Sequence, residues 1–293
     1  MKYACILPVK NEENTIEKVI NELSSKFSQN DNINLIIVSD STDRTDEIIK
    51  NMNKPNISLL DGDNFGLGFS VLKGIKYALK FDPKYLFTID TDGQVDLNEI
   101  TLFLNESKKD ETIDIFLSSR FLGKNLIDYK YPLINKFGTV ILRNIINLFT
   151  NFKVTDSHGG IRLFKKKVAE KLNLLGDYTY VQEFLFDASE NNFSLKELPS
   201  KWLKRNHGKS KVVGSIARYI LSVGPILFVR LNLHKKIFYS LGTIFFFTFL
   251  FKIQKDFSTI YLLISMTSFI SGFILESFKN IIILLKSIHL KKD

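Results

Sequence analysis

Cysteine is almost absent: the single Cys5 lies in the apolar run "YACILPV", so no intrachain disulfide can form and the residue reads as a small buried strand position. Nothing therefore points to an oxidising compartment. The four histidines and one cysteine show no zinc-ligand spacing, and there is no heptad zipper and no aromatic RNA-binding signature. These absences argue against nucleic acid as the partner for a formal charge of +9. The opening "MKYACILPVKNEEN" turns polar after a few apolar residues and has no small-residue cleavage site, so it is not a signal peptide and the front of the chain is expected in the cytosol.

What is present is unevenly spread. The 293 residues are 45% hydrophobic, ample for a sizeable core, but two materials are averaged in that figure. Up to about residue 211 charged and apolar residues mix as in soluble domains; from 212 onward Phe, Ile and Leu dominate. Much of the basic charge flanks that apolar third, which favours an anionic lipid surface.

The first part alternates strand-like and helix-like segments. "YACILPV", "INLIIVSD", "ISLLD", "YLFTID" and "DIFLSS" read as strands; "EENTIEKVINELSSKF", "TDRTDEIIKNM" with Thr42 or Asp43 as N-cap, and "GFSVLKGIKYALKF" have apolar residues at helical spacing. Such alternation predicts an α/β fold with a mostly parallel sheet, whose ligands bind beyond the carboxyl ends of the strands. The polar residues fall there, in "PVKNEE", "SDSTDRT", "DGDNFGLG" and "TDGQ". Asp90 and Asp92 stand where a strand breaks into a turn at Gly93, so with Gln94 they can converge on a hard divalent cation; the plainer reading is an Asp-Gly turn. Glu12 and Asp40 suit hydrogen bonding to a base or ribose, or the capping of helix N-termini. Gly66, Gly68 and Gly74 do not have the spacing or position of a dinucleotide fingerprint, and a nicotinamide cofactor is rejected.

The ordered series "PVKNEENTI", "VSDSTDRT", "GLGFSVLKG", "IDTDGQ", "SSRF", "DSHGGIRLF", "YVQEFLFDA" and "ELPSKWLKRNHGKSK" resembles glycosyltransferase family 2, and within it the polyprenyl-phosphate hexosyltransferases. The resemblance implies a nucleotide-diphosphosugar-binding domain of GT-A fold, a divalent metal ion (Mg2+ or Mn2+) on Asp90, Asp92 and Gln94, and a nucleotide pocket lined by Pro8, Glu12, Asp40 and Asp90. It implies a catalytic contribution from Asp156 and, through the metal, from Asp92; Arg120, at the end of "DIFLSS", would face the same crevice or is an ordinary surface arginine, and Arg205 is read as catalytic through the basic cluster that follows. Two motifs depart from the family: Ser39-Asp40-Ser41-Thr42-Asp43 is one residue shorter than its Asp-Asp-Gly-Ser-Thr-Asp, and Asp156 to Arg162 lacks the hydroxyl and aromatic ring of its Asp-x-x-Ser-Gly-Phe-Arg. Asp156, Gly160 and Arg162 carry over; Gly159 and Ile161 do not.

Arg205, His207, Lys209 and Lys211 form a basic cluster just before the apolar region, which is either a solvated charge run or a place to hold a lipid phosphate on Arg205, Lys209 and Lys211. Residues 212–233, interrupted by Arg218, Gly224-Pro225 and Arg230, read as one or two amphipathic interface helices. Residues 234–293 read as a transmembrane hairpin, with spans near 237–253 and 257–275 and a separate basic helix at the end. The flanking Lys residues place both termini in the cytoplasm, with the chain integral to a cell or ER-type membrane.

The expected activity is inverting transfer of a hexose from a nucleotide diphosphate sugar, GDP-mannose or UDP-glucose, to a dolichyl or undecaprenyl phosphate at the cytoplasmic membrane face. Self-association is left open. A processive polysaccharide synthase would share the front domain, but resembles a pattern with Gln-x-x-Arg-Trp, whereas the only tryptophan here, Trp202, stands in "PSKWLK". A non-catalytic membrane scaffold is expected to have lost Asp90 and Asp92, and both are present.

Overall fold

The computed structural model describes residues 2–27, 33–174, 176, 180–204, 216–251 and 258–289. It divides into two compact units, Met1–Lys211 and Val212–Asp293.

The first unit is α/β. Strands β1 (Tyr3–Val9), β2 (Ile33–Ser39), β3 (Ile57–Asp61), β4 (Tyr85–Ile89), β5 (Ile115–Ser119), β6 (Ile161–Lys165) and β7 (Leu195–Pro199) form one sheet in the order β3-β2-β1-β4-β6-β5-β7. All seven residues of β1 and all five of β4 are buried, the continuous apolar run that strands covered on both faces require. The interleaved helices are α1 (Ile16–Lys26), α2 (Thr45–Asn51), α3 (Leu67–Leu79), α4 (Ile100–Lys109), α5 (Leu133–Phe149), α6 (Lys166–Ala169) and α7 (Tyr180–Glu190). Helix α1 turns Ile16, Val19, Ile20 and Leu23 to the core at helical spacing. Helix α3 approaches so closely that a Cβ on Gly74 would lie 2.6 Å from Ile6 Cγ2. At the start of α2 it is Asp43, not Thr42, that accepts from the Thr45 N–H, at 3.0 Å.

β6 is antiparallel to both neighbours, β4 and β5, while the other pairings are parallel. The sequence did not mark "IRLFK" as a strand. Its reversal brings the loop before β6 to the edge where the parallel strands end.

The second unit is helical: α8 (Ile216–Arg230), α9 (Leu233–Phe251) and α10 (Ser258–His289). Helices α9 and α10 pack antiparallel, since His234 meets Glu276 (3.0 Å), the Gly242 carbonyl accepts from Ser265 Oγ (2.8 Å), and Phe245 stacks on Tyr261 (centroids 6.3 Å). Gly242 is required there, because a Cβ would sit 2.8 Å from the Phe269 ring. Among the described residues one segment, Thr259–Leu285, is long and apolar enough to cross a membrane. Helix α9 carries His234, Lys235 and Lys236 in its first turn, leaving 15 residues from Ile237 to Phe251, about 22 Å of helix. The separate basic helix expected at the end is instead the last part of α10, which runs on unbroken because neither Gly nor Pro follows Gly272.

Burial pushes the Cys5 thiol far above its ordinary value, and its side chain is fully enclosed. The native protein should therefore show no reaction with Ellman's reagent, and one thiol should appear on unfolding in denaturant.

Candidate active site

The carboxyl ends of β1, β2, β3 and β4 lie along one edge of the sheet, with the start of β6 beside them. After β4 the chain is held on several sides. The Asp90 N–H donates to the Gly160 carbonyl (3.1 Å), Thr91 Oγ1 donates to the Pro8 carbonyl (3.2 Å), and the Gln94 carbonyl accepts from the Leu203 N–H (2.8 Å). Asp92 Oδ1 accepts from the Gln94 N–H at 3.1 Å, closing a turn that needs Gly93 at φ +74°. The structure thus brings Asp90, Asp92 and Gln94 into one turn and sets it against Pro8.

Two aromatic hydroxyls reach this turn. Tyr180 bonds the Asp90 side chain and accepts from Arg162 Nη1 at 3.0 Å. Burial first, then the Asp90 charge, pushes its phenol up to about 12, so it stays protonated and can donate to the carboxylate. Tyr129 bonds the Gln94 side chain, and its phenol is also raised, chiefly by burial. Trp202, through bridges to Val95 and Ile127, closes over the same region.

Two carboxylates and a carboxamide form an all-oxygen donor set, suited to a hard cation such as Mg2+ or Mn2+. Among the described residues no group of three His, Cys, Asp or Glu gathers as a self-sufficient metal cage. The residues present fit an ion that one or two carboxylates share with phosphate oxygens and water, as Mg2+ is commonly held.

Of the residues expected to line a nucleotide pocket, Asp40 is buried. Its Oδ1 accepts from the Asn64 N–H (2.8 Å) and its Oδ2 from Ser70 Oγ (3.0 Å), so it secures the loop between β3 and α3. Gly62 must lack a side chain, since its Cβ would lie 2.3 Å from Asp40 Oδ1. Asp40 also lines an open cleft of 370 Å³ with Ser41, Asp46, Lys50, Leu60 and Asp61. Glu12 lies in the turn before α1: its carbonyl accepts from Thr15 and Ile16 N–H (both 2.9 Å), and its carboxylate accepts from Thr15 Oγ1 (2.8 Å). Its main-chain carbonyl thus closes the turn that leads into α1. Pro8 is buried within β1.

Arg120 and Asp156 hold each other. Arg120 Nε and Nη2 donate to the two Asp156 oxygens at 2.6 and 2.8 Å, and the Arg120 main-chain N–H adds a third bond at 3.1 Å. The guanidinium lies 4.3 Å from the Trp202 ring centroid and 5.6 Å from that of Tyr131. Burial would raise the Asp156 carboxyl, but the Arg120 hydrogen bonds and charge outweigh it and hold the group below the ordinary carboxylate range. Glu197 on β7 accepts from Thr155 N–H (2.8 and 2.9 Å) and Asp156 N–H (3.1 Å), fixing this loop from the other side. His158 sits between Ser157 Oγ (2.7 Å) and Gln182 Nε2 (3.1 Å), and its imidazole is pushed down to about 4 by burial and then by the Arg120 charge.

Arg205, Lys209 and Lys211 lie outside the described residues. The sequence reading missed Tyr180, Tyr129, His158 and Glu197 as neighbours of the site. For Trp202, its being the only tryptophan was a usable signal.

Replacing Asp156 with Asn should leave the buried guanidinium without its counter-charge and cost about 3–5 kcal/mol, read as a lower denaturation midpoint of the full-length protein. The His158 pKa gives a pH dependence. Between about 4 and the ordinary 6.5 the unfolded chain binds a proton that the folded one does not, so stability should fall as pH is lowered across that window. His158→Gln should flatten the slope, measured as the midpoint against pH.

Comparison with known proteins gives the family and the fold. The Glycosyl transferase family 2 model matches residues 4–172. An uncharacterized protein of Methanocaldococcus jannaschii is 31% identical over 213 residues, covering 70% of this chain and 83% of its own. The UDP-N-acetylglucosamine–dolichyl-phosphate N-acetylglucosaminyltransferase of Methanococcus voltae is 30% identical over 231 residues, covering 70% and 87%. Polyprenol monophosphomannose synthase of Mycolicibacterium smegmatis is 23% identical over 231 residues, covering 73% and 82%. Among solved structures, glucosyl-3-phosphoglycerate synthase from Mycobacterium tuberculosis in complex with uridine diphosphate superposes with a TM-score of 0.61 at 15% identity, covering 78% of this chain and 80% of that one. The same enzyme has been solved with Mn2+, uridine diphosphate and phosphoglyceric acid, with a TM-score of 0.59 at 16% identity over 78% of each chain. The fold is GT-A-like, and the chain belongs to glycosyl transferase family 2.

Proposed function

We propose that the protein transfers a hexose from a nucleotide diphosphate sugar to a polyprenyl phosphate at the cytoplasmic face of a membrane, with inversion. The observation that carries this reading is the Asp90–Asp92–Gln94 turn, set at the edge where the strands end beside the Asp40-lined cleft. The named relatives that act on dolichyl or polyprenyl phosphate support the acceptor class, and the apolar Thr259–Leu285 helix supports a membrane setting.

Asp90, Asp92 and Gln94 would hold a divalent cation, which when bound offsets negative charge on the departing nucleoside diphosphate. Pro8, Glu12, Asp40 and Asp90 form the nucleotide side. Asp40 and Glu12 act by setting the loops around the cleft, since both carboxylates accept bonds from within the protein. Arg120 and Asp156 act as positioning residues: a carboxylate held low and gripped by two guanidinium bonds is a poor base. A strong base is not required, because a phosphate monoester is already ionised at neutral pH. What the protein supplies is alignment of the acceptor phosphate behind the sugar carbon. Arg205, Lys209 and Lys211 are assigned to that phosphate, Arg205 by a two-pronged grip and the lysines as point charges.

The test is incubation of membranes carrying the full-length protein with a panel of radiolabelled sugar nucleotides, one of which should deliver label to the organic phase. Asp92→Asn and chelation should each abolish most of that transfer while the protein stays folded and membrane-bound. Full activity of Asp92→Asn in metal-free buffer would overturn the metal assignment. Arg205→Ala should lower transfer by one or more orders of magnitude with donor affinity unchanged by calorimetry; equal loss of both would move Arg205 to the donor diphosphate.

A further inference from the structure

Of the three side chains in the acidic turn, Gln94 alone has a wrong end. Asp90 and Asp92 offer a cation only oxygen, whereas a carboxamide offers an oxygen on one side and an NH2, which repels the ion, on the other. For Gln94 to serve beside the two carboxylates, a neighbour has to accept from its NH2 and keep that end turned away.

Tyr129 stands in that place. It is half-buried in the loop between β5 and α5, and its hydroxyl is hydrogen-bonded to the Gln94 side chain. Burial is the main cause that raises this phenol, and the Gln94 bond works against the rise, as a donor to the phenol oxygen does. The amide nitrogen is therefore the end that meets Tyr129. Its oxygen is left for another partner.

One short segment after β7 braces this contact from both sides. The Leu203 N–H donates to the Gln94 carbonyl (2.8 Å), while the neighbouring Trp202 donates its N–H to the Leu126 carbonyl (2.7 Å) and accepts from the Asp128 N–H (2.8 Å). The main chains of Gln94 and of the residue before Tyr129 are thus fastened to adjacent residues. The Tyr129 ring is held on its far side by the edge of Tyr131, with centroids 6.1 Å apart, and the Tyr131 hydroxyl accepts from Arg120 Nη1 at 3.4 Å. Phenol and amide have little freedom to part.

We propose that Tyr129 is a positioning residue for the cation: its phenol oxygen accepts from the Gln94 amide and so fixes the amide oxygen toward an ion shared with Asp90 and Asp92. The assignment rests on the proposed metal site and names the residue on which its third ligand depends.

Full-length protein in detergent is titrated with Mn2+ alone, the free ion being read by its electron paramagnetic resonance signal, and the unfolding midpoint of each variant is measured in metal-free buffer. Tyr129→Phe removes one oxygen atom and should weaken Mn2+ binding about tenfold while the midpoint stays in place. A carboxylate has an oxygen at both ends and needs no orienting, so in a Gln94→Glu background the same Tyr129→Phe change should alter Mn2+ affinity by less than about twofold. Tyr129→Leu repeats both arms should the first variant misfold. Native-like Mn2+ binding by Tyr129→Phe would overturn the proposal. So would an equal loss in both backgrounds, which would mean that the phenol supports the loop and not the amide. Asp92→Asn separates this assignment from the one beneath it: if that variant also binds Mn2+ like the native protein, the metal site falls and Tyr129 with it, whereas lost binding there beside a silent Tyr129→Phe overturns the role of Tyr129 alone.

Discussion

The site depends on the reversal of one strand. In a parallel sheet every carboxyl end opens to the same edge, so that edge collects loops that follow strands. An antiparallel β6 adds a loop that precedes a strand, and the Asp90 N–H to Gly160 carbonyl bond is where the two kinds of loop join. The segment Asp156 to Gly160 reaches the acidic turn after β4 for this reason alone. A parallel β6 would have delivered Lys165 and Lys166 there instead.

The acids around the site divide by what they are bonded to. Asp156, Asp40 and Glu12 accept bonds from the protein's own donors, and Glu197 holds the backbone that carries Asp156. A buried ion pair contributes little net stability against an apolar replacement, so the Arg120–Asp156 pair is better understood as a fixed joint between the end of β5 and the loop before β6. Trp202 stacks on the guanidinium and bridges to Val95, coupling that joint to the β4 turn. Asp92 differs, in a turn that closes on itself through the Gln94 N–H.

Much of this was legible in the sequence. Apolar runs of parallel-strand length ending in acids located β1, β2, β3 and β4, and Asp-x-Asp-Gly located the turn, because those patterns are local. β6 was invisible as a strand: "IRLFK" mixes charge and hydrophobe, and Arg162 is 1% exposed, with Nη1 donating to Tyr180 and the guanidinium over its ring. The same holds for Tyr129 against Gln94 and Tyr180 against Asp90, contacts set by tertiary packing and written in no spacing. Helix α10 differs in the opposite direction: its apolar span was expected to end near residue 275 with a separate basic helix after it, whereas helix termination needs a backbone cause and neither Gly nor Pro stands there. Glu276 is accommodated by Lys235 and His234 across the helix pair.

The unbroken α10 is also a matter of length. Its 32 residues make a rod of about 48 Å, against roughly 30 Å of bilayer hydrocarbon. On the proposed membrane reading, a rod that long exceeds the hydrocarbon by about 18 Å, so it would have to tilt or carry its last turns into the headgroup region.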